Sequence, residues 1–139
     1  MAEPAPFEIL EHTADVGLRA RGRTMAEAFE HAADGMGAIL GLAPSDAPPA
    51  EVRVSLRADD RAALLVEWLE ELLFLAEARG VCVTRTEVRE IDDTALEASA
   101  WVVPRADPGA PVAVKAATYH RLAVEPGPGG WIATVFFDV

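Results

Sequence analysis

The sequence predicts an α+β fold, a single compact domain in which a sheet packs against two helices. Hydrophobic periodicity runs strand, helix, strand, helix, and then four strands follow in succession. Strands gathered in this way argue against a doubly wound parallel sheet, where strands and helices alternate throughout. At 139 residues and 51% hydrophobic, the chain is long enough for one core and short for two. Residues 1–139 are therefore read as one domain.

The first strand segment spans residues 7–22 and contains a polar knot, His12-Thr13-Ala14-Asp15, before apolar alternation resumes at Val16, Leu18 and Ala20. Asp is depleted in strands because its side chain competes for backbone hydrogen bonds, so the knot either turns the chain or aims an oxygen ligand. A helix follows. Thr24 precedes Glu27 at capping-box spacing, Met25, Ala28, Phe29, Ala32, Met36, Ile39 and Leu40 recur at helical spacing, and Gly41 supplies the stop.

The stretch "APSDAPPA" is a Pro-rich loop, and "EVRVSLRA" alternates Val52, Val54 and Leu56 against Arg53, Ser55 and Arg57 as a half-buried strand does. Asp59 or Asp60 can cap the second helix, "RAALLVEWLEELLFLAEAR", which ends at Gly80. It is the most hydrophobic element and is expected at the centre. Two strands, "VCVTRTEVREI" and "LEASAWVV", join through a turn at Asp92-Asp93-Thr94. Two more, "VAVKAATYHRLAV" and "GWIATVFFDV", join through "EPGPGG".

A formal net charge of -11, with the basic residues scattered, argues against tight direct binding of nucleic acid, since phosphate-driven affinity needs clustered cations. Residues 1–6 lack the basic and apolar regions of a signal peptide, and no apolar stretch reaches membrane-spanning length. A cytoplasmic protein without membrane contact is the expectation. Cys82, the only cysteine, lies in an apolar strand and reads as a buried, inert thiol.

Several chemistries lack their residues. The glycines Gly127, Gly129 and Gly130 are followed by neither Lys-Ser/Thr nor a helix, so they form a turn and not a phosphate loop. His12, His31 and His120 are far apart and match no nucleophile motif. Glu67, Glu70 and Glu71 share one helical face and read as solvated.

The carboxylates that stand out are Asp15 and the end of the chain, where an apolar strand finishes in Asp138 followed by the main-chain carboxylate of Val139. Adjacent anions repel, so this end either frays into water or sits beside a cation. With Asp15 the set would comprise three hard oxygen ligands, suited to Ca2+ or Mg2+ and not to zinc. Lys115 interrupts the apolar run Val112, Val114, Ala116, where an ammonium must be exposed or paired, and it could complement the carboxylates.

The segments "HTADVG", "RGRTMAEAFEHAA", "WLEELLFL", "VKAATYH" and "WIATVFFDV", in this order, closely resemble the archease family. The resemblance implies a small cytoplasmic α+β protein with no reaction of its own. Such a protein is a cofactor of the GTP-dependent RtcB-type tRNA-splicing RNA ligase, promoting guanylylation of the ligase histidine and multiple turnover. It further implies a divalent ion, calcium, held by Asp15, Asp138 and Val139, with Lys115 and the same aspartates needed for ligase activation. Two readings of other classes stand beside it. A general chaperone-like module requires a sizeable exposed apolar patch. A metal-dependent hydrolase requires a base such as His12 or His120 beside Asp15.

Overall fold

The computed structural model describes residues 5–11, 15–107 and 109–139. Among them the elements are β1 (Phe7–Glu11), β2 (Asp15–Gly22), α1 (Met25–Leu40), β3 (Ala50–Arg57), α2 (Arg61–Arg79), β4 (Val81–Ile91), β5 (Ala95–Pro104), β6 (Ala116–Gly127) and β7 (Gly130–Asp138). The α+β expectation holds. One feature of the element order differs: the knot divides residues 7–22 into two strands, and β1 pairs antiparallel with β2, so the chain does turn there. Residues 12–14 lie outside the described residues.

The strands form two antiparallel sheets, β1-β2-β7-β6 and β3-β5-β4. Both helices lie between them. Helix α1 packs on β1, β2 and β7 of one sheet and on β4 of the other, while α2 packs on β6 and on β3 and β4. This placement explains the composition of α2. A helix covered on two sides must be apolar over most of its circumference, and Leu64, Leu65, Trp68, Leu69, Leu72 and Leu75 are all buried. Trp68 adds a polar anchor, its indole N–H donating to the Phe29 carbonyl of α1 at 2.9 Å.

Local signals set the helix ends. Thr24 Oγ1 accepts from the Glu27 N–H at 3.1 Å and Glu27 Oε1 accepts from the Arg23 N–H at 3.1 Å, completing the capping box. Asp60 caps α2 by accepting from the Ala63 N–H at 2.8 Å. Gly41 and Gly80 close the helices in left-handed conformations, φ 60° and 63°.

The helices also complete the sheets. Glu30 of α1 accepts from the Val88 N–H of edge strand β4 at 2.8 Å, and Glu70 of α2 accepts from the Ala117 N–H of edge strand β6 at 2.7 Å. Edge strands carry unpaired N–H groups, and each of these is covered by a helix carboxylate. Glu70 is thus half-buried and engaged, where helical spacing alone reads it as part of a solvated face.

Candidate functional site

Strand pairing brings the two ends of the chain together. In the β2–β7 ladder Asp15 is the direct partner of Asp138, Val16 of Phe137 and Leu18 of Val135. On the other side of β7, Ala116 is the partner of Asp138, and the Lys115 N–H donates to the Asp138 carbonyl at 2.8 Å. Asp15, Lys115, Asp138 and Val139 therefore gather at one end of the four-stranded sheet.

Strand alternation decides which face they occupy. Leu18, Ala20, Val135 and Phe137 are core residues, so Asp15 and Asp138, out of phase with them, project from the face turned away from the helices. Phe136 shares that face and lies over Gly17, where a Cβ would meet its Cε2 at 2.6 Å and the Leu10 Cβ at 2.9 Å. His120 meets Phe136 edge-on, ring centroids 5.7 Å apart. An apolar floor of Phe136, Gly17 and Leu10 thus adjoins the carboxylates.

The carboxylates differ in environment. Asp15 is half-buried with Oδ1 shielded from water; Asp138 and Val139 are exposed. Like charges directly opposite on one sheet face repel. Two aspartates beside the main-chain oxygens of Val139 form a set of hard donors that fits a Ca2+ or Mg2+ ion retaining water in its remaining positions. Among the described residues no three His, Cys, Asp or Glu side chains come together at metal-binding spacing. The arrangement is accordingly an open edge and not a closed cage. His12, one base a hydrolase would use, lies outside the described residues.

Lys115 is the single lysine of the chain, every other side chain that is permanently cationic being arginine. It lies just before β6 and is exposed, so residues 112–115 are not strand and the ammonium carries no burial cost there. Cys82 is buried, and that burial pushes its thiol up, which removes it as a nucleophile as its strand context predicts.

One feature near the site has no counterpart in the sequence reading. Between Thr118 and Ala123, β6 leaves its register with β7. Arg121 adopts φ 53°, and Tyr119, His120 and Arg121 are exposed. The Thr118 hydroxyl, accepting from the His120 N–H at 3.3 Å, braces this bulge. The sequence reading takes this segment as part of one continuous strand, although the consecutive polar residues His120 and Arg121 break its alternation.

At the opposite end of β2, Arg21, Arg23, Glu27, His31, Pro128 and Gly129 line an open groove. His31 is half-buried there, with Nδ1 against the Arg21 carbonyl. None of the described helices is long and apolar enough to cross a membrane.

Residues 7–139 match the model of the archease protein family (MTH1598/TM1083). The protein archease of Methanosarcina mazei is 35% identical over 139 residues, covering 96% of this chain and 95% of its own. That of Saccharolobus islandicus is 34% identical over 142 residues, covering 96% and 98%. The solution structure of Methanobacterium thermoautotrophicum protein 1598 superposes with a TM-score of 0.69 at 27% identity, covering 96% of this chain and 99% of that one. The crystal structure of a Thermotoga maritima archease, described as a possible chaperone, shares the fold with a TM-score of 0.67 at 19% identity, covering 100% and 98%.

Proposed function

This chain belongs to the archease family, and we propose that it activates a GTP-dependent RtcB-type RNA ligase, promoting guanylylation of the ligase and repeated turnover in tRNA splicing or RNA repair. It has no reaction of its own in this reading. The observation that carries it is the direct opposition of Asp15 and Asp138 across β2 and β7, with Lys115 bonded to the Asp138 main chain.

In this reading Asp15, Asp138 and the main-chain oxygens of Val139 hold a divalent cation, calcium or magnesium, which supplies positive charge for phosphate oxygens when bound. Lys115 offers a compact, mobile ammonium beside it, a group able to meet a nucleotide phosphate as a point charge. The apolar floor under the carboxylates limits water on one side and strengthens their attraction for cations. An acidic chain would dock on a basic face of the ligase, where complementary charge speeds encounter and fixes orientation.

RNA ligation by the cognate ligase tests this, with substrate in large excess, GTP and metal, and a trace of this protein. The expected result is conversion of a single round into many, and loss of that effect with Asp15→Ala although the variant keeps its circular dichroism. Equal turnover with and without the wild-type chain would refute the reading.

A further inference from the structure

Among the described residues, the exposed large hydrophobic side chains are Ile9, Phe74, Tyr119 and Val139. Val139 follows Asp138 directly. Tyr119, 67% exposed, stands in the β6 bulge, three residues beyond the residue that pairs with Asp138. Phe74, 56% exposed, belongs to the same end of the molecule, because two contacts fix the direction of α2. At its start Arg61 lies over the Trp131 ring at 5.1 Å, and Trp131 pairs with Pro126 of β6. Further on, Glu70 accepts from the Ala117 N–H. Helix α2 therefore runs antiparallel to β6, and one more turn carries Phe74 past Ala117 toward Lys115 and Asp138. Only Ile9 lies elsewhere, on β1 at the far edge of the sheet.

Isolated exposed apolar residues need no explanation, but these three lie toward one end of the molecule, Phe74 on the helix side of the sheet and Tyr119 and Val139 on the strands beside Asp138. Carboxylates surround Phe74 and Val139, while Tyr119 stands beside exposed His120 and Arg121: Glu67 and Glu77 are exposed on α2 on either side of Phe74, Glu71 is half-exposed one turn before it, and Asp138 adjoins Val139. An aromatic anchor rimmed by carboxylates, as Phe74 is, on a chain of net charge -11 matches a protein surface with apolar recesses set among basic side chains. The bulge serves the same end, since it lifts Tyr119 out of the ladder and holds Arg121 at φ 53°, a conformation that L side chains rarely adopt.

Resting on the ligase-activator reading, we propose that Phe74 and Tyr119 are the apolar anchors by which this protein docks on a basic face of its partner ligase. These two residues set the affinity of the complex, whereas Asp15, Asp138 and Lys115 set what the complex does. Rim carboxylates steer the encounter, so association weakens as salt is raised.

The test is binding of the full-length chain to the purified cognate ligase by calorimetry, together with the concentration giving half-maximal stimulation of ligation. Phe74→Ser and Tyr119→Ser, both at exposed positions, keep the wild-type melting temperature. Each raises the dissociation constant and the half-maximal concentration at least about tenfold, while stimulation at saturation reaches the wild-type plateau. Ile9→Ser, at the opposite edge, changes neither. Wild-type binding that survives both anchor substitutions unchanged overturns the docking surface and leaves the activator reading standing. No binding by the wild-type chain overturns both. A lowered plateau at unchanged half-maximal concentration assigns these residues to activation and overturns their role as anchors.

Discussion

Asp15 and Asp138 are direct cross-strand partners, two carboxylates side by side on the outward face of the β2–β7 ladder. A like-charge pair in that position costs free energy of the order that an opposite-charge pair gains, roughly 0.2–1 kcal/mol, and a bound divalent cation reverses the sign. In chelator, Asp138→Asn should melt slightly above the wild type. In millimolar Ca2+ the wild type should gain stability, by about 2.7 kcal/mol at one hundred times the dissociation constant, and the variant should gain much less. Calorimetric melting with and without Ca2+ decides it, and a wild-type melting temperature indifferent to Ca2+ and Mg2+ refutes the metal site.

Glu70 supplies an acceptor to the Ala117 N–H on edge strand β6. Removing it leaves a partly buried donor without a protein acceptor, which costs about 1–3 kcal/mol. Glu70→Ala should lose that stability in urea titrations, and Glu70→Gln, which keeps an acceptor oxygen, should lose less. Because Ala117 is two residues from Lys115, hydrogen exchange at the start of β6 should also quicken in the alanine variant. Equal stability of the two variants would show that the bond contributes nothing specific.

Two glycines of α1 respond in opposite directions to the same substitution. A Cβ at Gly35 would stand 2.3 Å from Leu18 Cδ1, and Leu18 is fully buried, so Gly35→Ala should destabilise by about 1–3 kcal/mol. A Cβ at Gly37 meets nothing within 4 Å. Gly37→Ala should therefore stabilise by about 0.5–1 kcal/mol through the lower entropy of the unfolded chain. Denaturant midpoints measure both; a shift of the same sign in the two variants would contradict the packing of α1 on β2.

Asp92 holds the β4–β5 turn, its Oδ1 accepting from the Thr94 N–H at 2.9 Å and the Ala95 N–H at 2.8 Å. Those two main-chain donors hold its carboxyl below the ordinary value of 3.8, the Thr94 bond foremost. A depressed folded value means that the stabilisation is present above 3.8 and is lost as pH falls through the folded value. Asp92→Ala should thus melt below the wild type at neutral pH, and the gap should close in acid below 3.8. A gap that stays constant down to that acid range would show that the turn does not depend on the ionised carboxylate.

Much of this molecule is decided locally and is legible as such. The capping box at Thr24 and Glu27, the cap at Asp60, the glycine stops at Gly41 and Gly80, and the switch between helical and alternating spacing each depend on residues within a few positions of one another. Chemical types are legible too: Asp15, Lys115 and Asp138 stand out because each is a charged residue in or beside an apolar run. The resemblance to archeases rests on these same short segments.

The tertiary structure decided what lies between segments. Alternation in a strand marks a buried face without naming its neighbour, so seven strands divide into two sheets only when both helices are packed between them. The apolar run of α2 is consistent with any central helix, and only its two-sided cover shows why its buried positions extend over more than one face. Register is the decisive case. A shift of one residue in the β2–β7 ladder would place Asp15 opposite Phe137, whose side chain faces the core, and would separate the two aspartates. What holds the register is the match of Val16, Leu18 and Ala20 with Phe137, Val135 and Ala133 against the helices, long-range packing in which no single segment of the sequence contains the answer.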